Sequence, residues 1–286
     1  MSEAGSRWPA PAKLNLFLHI VGRRPDGYHE LQTCFQFVDL CDEITLKVRA
    51  DGEIRRTKEI PGLPADADLC VRAARALKAA AGTSLGVDIS LEKRIPIGGG
   101  LGGGSSDAAT CLVALNQLWN LNWPREKLAA LGLKLGADVP VFVHGRVAWA
   151  EGVGERLTPL YPPLAPPEPN YLILKPNVFV STAAVFQDPE LTRNSPPITI
   201  HGFLASGGRN DCLGVVRRRF PEVAHALDWL SVYGSARLTG TGACVFLACE
   251  TRDLGQEIMS KLPPEFEGFL AHGLNDSPLL ERIRTG

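Results

Sequence analysis

Six of the seven residues from Gly98 to Gly104 are glycine, and a stretch of backbone so bare of side chains cannot build a core of its own. Its surroundings give it a role. Before it, Val87, Ile89 and Leu91 alternate with polar neighbours, the period of a strand over 86–93; after it, Ala108, Leu112, Leu115 and Trp119 recur at helical spacing. Strand, glycine loop and amphipathic helix in that order aim unpaired backbone N–H groups and the positive end of a helix dipole at one place. Such a place suits an anion, above all a phosphate. Ser105, Ser106 and Asp107 follow the run as capping groups for the helix start.

Two common phosphate-binding designs are excluded. Gly98, Gly100 and Gly103 fit the spacing of a dinucleotide fingerprint, but that motif needs an acidic residue roughly 20 positions on, at the end of a second strand. Here that region is Trp119-Asn120-Leu121-Asn122-Trp123. The loop also lacks the Lys and Ser/Thr pair that closes a Walker A motif, and no H-R-D or D-F-G occurs anywhere in the chain. The charge of a bound phosphate must therefore be met by side chains from elsewhere.

Elsewhere the chain mixes strands and helices. Residues 11–21 alternate, with Ala12, Leu14, Leu16, Leu18 and Ile20 on one face and Lys13, Asn15, Phe17 and His19 on the other, so a half-buried strand is expected with Lys13 and Asn15 pointing the same way. Strands follow at 32–39 and 43–49, a helix at 68–81 stopped by Gly82, a helix from Pro124 to Leu135 stopped by Gly136, and a strand over 141–150. The proline-rich segment 161–169 can propagate neither a helix nor an interior strand, and divides the chain into domains 1–160 and 161–286. The second half reads as a strand at 171–175, helices at 210–219 and 222–232, and a strand pair flanking Thr239-Gly240-Thr241-Gly242.

With 286 residues, 45% of them hydrophobic, the chain can fill a real core. A net charge of -1 gives no basic surface for nucleic acid. No segment approaches the roughly 20 apolar residues of a membrane span, and Met1–Ala10 carries no signal-peptide pattern, so a cytoplasmic protein is expected. Seven scattered cysteines without a C-x-x-C pair suit reduced core positions better than zinc or disulfides.

Four segments together carry a resemblance: Pro11-Ala12-Lys13-Leu14-Asn15-Leu16-Phe17-Leu18, the loop Pro96 to Ser106, Leu135-Gly136-Ala137-Asp138-Val139-Pro140-Val141-Phe142, and Leu238-Thr239-Gly240-Thr241-Gly242-Ala243-Cys244-Val245-Phe246. They resemble the GHMP kinase superfamily, and Arg24 to His29, Ala150 to Glu155 and Asp188 to Leu191 extend the likeness over nearly the whole chain. The resemblance implies an α/β (α+β) fold of two domains, one like the second domain of ribosomal protein S5 and one ferredoxin-like, with the active site in the cleft between them. It implies ATP as co-substrate, magnesium with it, and a small-molecule acceptor, here a diphosphocytidyl sugar alcohol of isoprenoid precursor synthesis phosphorylated on a hydroxyl.

The same resemblance assigns roles. Lys13 and Asp138 become the catalytic pair, Asp138 as base. Pro96, Ile97, Gly98, Gly99, Gly100, Leu101, Gly102, Gly103, Gly104, Ser105 and Ser106 bind the phosphates of ATP, with Leu69 and Lys93 near its adenine and Ser106 the candidate magnesium donor. Asn15 lies near the acceptor hydroxyls, while Tyr28 and Phe186 sandwich a cytosine whose edge His29 reads. Asp68 stands where relatives often carry Asn. Taken alone, Lys13 is a solvent-facing strand lysine, Asp138 a helix N-cap and the Arg217-Arg218-Arg219 run a solvated face. Rival readings are a kinase of the homoserine or mevalonate type and a non-catalytic nucleotide-binding relative; the presence of both Lys13 and Asp138 speaks against the latter. Oligomeric state is not legible.

Overall fold

The period-2 pattern at the N-terminus grows into strand β1, Ser6–Arg23, which pairs antiparallel along its length with β2, His29–Arg49. In the computed structural model, which describes residues 5–59 and 63–285, every residue from Ala10 to Ile20 is buried. The expected half-exposed strand is therefore buried on both faces, because the glycine loop and the second half of the chain cover the side that carries Lys13 and Asn15. Met1–Ala4, part of the stretch read for a signal peptide, lie outside the described residues. The two expected strands at 32–39 and 43–49 are one continuous β2, with a register shift opposite Pro11/Ala12.

Beyond β3 (Ile54–Arg56) comes α1, Leu69–Ala81. Both its ends obey local rules: the Asp68 carboxylate accepts from the Cys70 N–H, and Gly82 closes the helix at φ 66°. Strand β4, Gly86–Glu92, leads into the glycine loop and α2, Gly103–Leu118. This helix starts earlier than the serines suggest. Gly102, at φ 75°, is its N-cap and no side chain caps it, so Ser106 and Asp107 sit inside the first turns and are buried.

Next are α3 (Arg125–Leu133), α4 (Val139–His144), β5 (Ala148–Gly152) and β6 (Arg156–Pro159). The expected strand at 141–150 is thus a short helix followed by a strand. Val139, Val141 and Val143 mimic a strand pattern, but all of residues 139–143 are buried, so no face alternates. The second half adds β7 (Asn170–Pro176), α5 (Thr182–Phe186), α6 (Ile200–Ser206), α7 (Leu213–Arg219), α8 (Pro221–Ser231), β8 (Arg237–Leu238), β9 (Val245–Cys249), α9 (Arg252–Ser260), β10 (Phe266–Leu274) and α10 (Pro278–Thr285).

Among the described residues ten strands form one sheet in the order β3-β4-β2-β10-β7-β9-β8, with β1 and β5 also on β2 and β6 on β5. Strand β10 joins the halves: Phe266–His272 lie opposite β7, and Gly273 and Leu274 opposite Val38 and Phe37 of β2. One core, with Trp8, Phe37, Leu112 and Phe142, also receives Leu279 from α10. A second, with Leu174, Val216, Leu227 and Leu247 from the later elements, also takes Leu18 and Ile20 from β1. Between them a third, containing Leu14, Phe17, Trp149, Ile173 and Phe246, unites residues from both halves. No helix among the described residues is long and apolar enough to cross a membrane.

Candidate active site

A cavity of about 730 Å³ opens where β1, the glycine loop and the start of α5 meet. Lys13, Asn15, Leu69, Lys93, residues 96–105, Asp138 and Phe186 all line it. The sequence motifs, far apart in the chain, are thus brought to one place. Ser106 is buried behind the loop, and Tyr28 and His29 are not among the lining residues.

The Lys13 side chain is 4% exposed, so its ammonium needs partners. It donates to Asn15 Oδ1 at 2.6 Å and to the Gly100 carbonyl at 3.0 Å, and lies 3.5 Å from Asp138 Oδ2. The ring of Phe35 lies beneath it at 5.4 Å. Asn15 in turn donates to Thr33 Oγ1 at 2.9 Å, which orients its amide oxygen toward the lysine. Asp138 does occupy the N-cap position of α4, yet its carboxylate caps nothing; it is left to Lys13 and to the cavity.

The loop is braced from the second half of the chain. Ala243 N and Cys244 N donate to the carbonyls of Gly98 and Gly99 at 3.2 and 3.0 Å, and Thr239 Oγ1 accepts from Asn15 N at 3.0 Å. The approach is so close that a Cβ on Gly100 would stand 2.5 Å from the Thr239 carbonyl and 2.9 Å from that of Gly242. Thr239-Gly240-Thr241-Gly242 is therefore the brace of the glycine loop rather than a plain hairpin turn.

Below the loop lies a charge cluster that no motif announced. Lys93 Nζ is held between Asp42, fully buried, and Asp107, at 2.7 Å. Asp42 also accepts the backbone N–H groups of Arg94 and Ile95 at 2.6 and 2.8 Å, which fixes the chain entering the loop. One cation cannot neutralise two carboxylates. Burial pushes the Asp107 carboxyl up to about 8, opposed by Lys93 and reinforced by Asp42. Lys93 itself, though burial pulls it down, is raised on balance by the two carboxylates. Asp68 is equally engaged: it accepts from Cys70 N at 2.8 Å and pairs with half-buried Arg56 at 3.2 Å.

The residues that the resemblance assigns to the acceptor are only partly assembled. Tyr28 is 66% exposed, so no aromatic sandwich with Phe186 exists here. Instead the His29 ring stacks on Phe186, centroids 5.1 Å apart and planes at 20°. The segment after Phe186 is pinned by arginines. Arg218 and Arg219 pair with Asp188 at 2.7 and 3.3 Å, so two members of the supposed solvated run are structural ties. Sequence reasoning missed Asp42, which fell in the gap between the expected strands at 32–39 and 43–49 and carried no motif.

Comparison with known proteins follows this geometry. Residues 68–146 match the GHMP kinases N-terminal domain and residues 200–267 the GHMP kinases C-terminal region. Over 277 residues the chain is 56% identical to the 4-diphosphocytidyl-2-C-methyl-D-erythritol kinase of Pseudomonas paraeruginosa, covering 97% of each. It is 55% identical over 284 residues to the enzyme so named from Pseudomonas savastanoi pv. phaseolicola, covering 99% of this chain and 97% of that one. A crystal structure of 4-(cytidine 5'-diphospho)-2C-methyl-D-erythritol kinase superposes with a TM-score of 0.81 at 35% identity, over 94% of this chain and 99% of that one. The mevalonate kinase of Methanococcus jannaschii, at 16% identity and a TM-score of 0.70 over 96% of this chain and 100% of that one, shares the fold.

Proposed function

The chain belongs to the GHMP kinases and, within them, to the 4-diphosphocytidyl-2-C-methyl-D-erythritol kinases; on that premise we propose how its residues carry γ-phosphate from ATP to the position-2 hydroxyl of that acceptor. The products are the 2-phosphate and ADP, and the reaction serves the non-mevalonate route to isoprenoid precursors. The observation that carries the mechanism is the Lys13–Asp138 pair at 3.5 Å, lining the same cavity as the glycine loop.

In this reading the loop N–H groups and the start of α2 hold the phosphates of ATP, with Leu69 and Lys93 on the adenine side. Asn15 and Asp138 position the acceptor hydroxyl in line with the γ-phosphorus. As its oxygen bonds to phosphorus, the bond to the bridging oxygen of ADP breaks and the hydroxyl proton passes to the Asp138 carboxylate. Lys13, tied to the Gly100 carbonyl, keeps a positive charge beside the transferred group. Ser106 would give the expected magnesium one oxygen donor, its hydroxyl being buried without a partner among the described residues, but only by turning toward the cavity, which it does not line. Magnesium bound with ATP supplies neutralisation of the phosphate oxygens.

For the acceptor, Phe186 provides the stacking face, with Tyr28 closing over the opposite side of a cytosine and His29 reading its edge. An ADP-release assay offered diphosphocytidyl methylerythritol, homoserine and mevalonate in turn tests the assignment. ADP is expected with the first alone; release driven by either of the others would overturn it.

A further inference from the structure

His29 has two ring nitrogens, and the structure distinguishes them. Arg193 Nε donates to His29 Nε2 at 3.0 Å. A guanidinium has only donors and does not deprotonate in proteins. Nε2 must therefore present its lone pair, and a neutral ring must carry its proton on Nδ1. No hydrogen bond to Nδ1 occurs among the described residues, and the half-buried ring leaves that N–H open to water or to a ligand.

Arg193 is not free to swing away from this task. Its Nη2 donates to the carbonyls of Phe186 and Asp188 at 3.0 and 2.6 Å, and its Nη1 to those of Leu191 and Pro189 at 3.1 and 3.5 Å. One side chain thus ties the segment that carries Phe186 to the histidine stacked on that same Phe186 ring. Burial, Arg193 and Arg23 all lower the His29 pKa, so the ring stays neutral near pH 7.

We propose that Arg193 is a positioning residue for substrate choice, which fixes His29 as its Nδ1–H tautomer and so makes it a pure hydrogen-bond donor toward the acceptor's base. The chemistry then selects the base. Unmodified cytosine offers a bare lone pair at N3 and a carbonyl at O2, both acceptors, whereas uracil carries a hydrogen at N3 and meets the donor with a donor. Had Nε2 kept the proton, Nδ1 would be an acceptor and the preference at N3 would reverse. The inference rests on the proposed role of His29 at the base, and its test keeps the two separable.

The test uses the full chain labelled with 15N, and reads the two-bond proton–nitrogen correlations of the six histidine rings. The His29 signals are those lost in His29→Ala. The expected wild-type pattern is a neutral ring protonated at Nδ1. In Arg193→Met the ring is expected to shift toward Nε2–H and to titrate at higher pH. Acceptor KM should rise about tenfold at nearly constant kcat and ATP KM, and the cytidine-over-uridine preference should narrow. A wild-type ring protonated at Nε2 overturns the inference even if Arg193→Met does not fold. So does a folded Arg193→Met whose tautomer is unchanged, since a merely structural arginine would alter KM without moving that proton. Should His29→Ala leave acceptor KM and base preference untouched, the base-reading role of His29 fails, and with it the consequence drawn here for specificity.

Discussion

The ammonium of Lys13 lies closer to the carbonyl oxygen of Gly100, at 3.0 Å, than to the carboxylate of Asp138, at 3.5 Å. The lysine is held by the glycine loop and only shared with Asp138, so the two side chains can be tested separately. Asp138→Asn is expected to keep ATP and acceptor affinities within several-fold and to lower turnover by about 10² or more, as for a lost base. Lys13→Met should also lower turnover more than acceptor affinity. Steady-state and single-turnover kinetics check both: near-normal turnover in Asp138→Asn removes the base assignment, and a rise in KM alone makes Lys13 a binding residue.

Asp107 gives a stability prediction with a definite sign. Its folded pKa, about 8, lies above the ordinary carboxylate value of 3.8 because burial disfavours its charge. Its contribution is therefore complete below pH 4 and is lost as pH rises toward 8, when the fold must either keep a proton the unfolded chain has released or bury a charge. Asp107→Asn keeps the shape and removes the titration. Thermal melts from pH 5 to 8.5 should show the variant gaining on wild type as pH rises. A constant difference across that range would mean that Asp107 is ionised and paired with Lys93 throughout.

Gly100 is a position where only glycine is compatible with the loop. Its φ of 74° is left-handed, and a side chain would run into the carbonyls of Thr239 and Gly242. Gly100→Ala should cost about 1–3 kcal/mol in backbone strain alone and weaken an ATP analogue in calorimetric titration by separating loop and brace. Gly103, by contrast, would aim a Cβ at Ile95 and Lys93, at 3.1 and 3.3 Å, rather than at a phosphate. Gly103→Val should therefore act through the charge cluster. Unchanged ATP affinity in a folded Gly100→Ala protein would mean the brace does not shape the phosphate site.

If His29 reads the base, His29→Ala should cost roughly 1–3 kcal/mol in acceptor binding, the penalty of a polar group that loses its buried partner. ATP affinity should barely move. The specificity constants for the cytidine substrate and a uridine analogue, compared in wild type and variant, should converge; a ratio that stays the same would assign base reading to other groups, such as backbone.

What was legible in the sequence was local. Gly82 marks the end of α1 because capping depends on neighbouring residues alone, and β1 declares itself through alternation. The α4 helix was misread because its valines look like a strand when their burial on all sides is unknown. Asp42 joins Lys93 across 51 positions and Arg193 meets His29 across 164, so no window along the chain could reveal either pairing. Tyr28, assigned by resemblance to the same role as Phe186, stands exposed, whereas Phe186 lines the cavity.

Strand β10 and helix α10 complete the first half of the molecule from the far end of the chain: Val147 N donates to the Asn275 carbonyl, Ser277 N to that of Gly145, and Leu279 enters the first core. During synthesis, then, Val147 and Gly145 cannot find these partners, nor the first core its Leu279, until the last segment of the chain has been made.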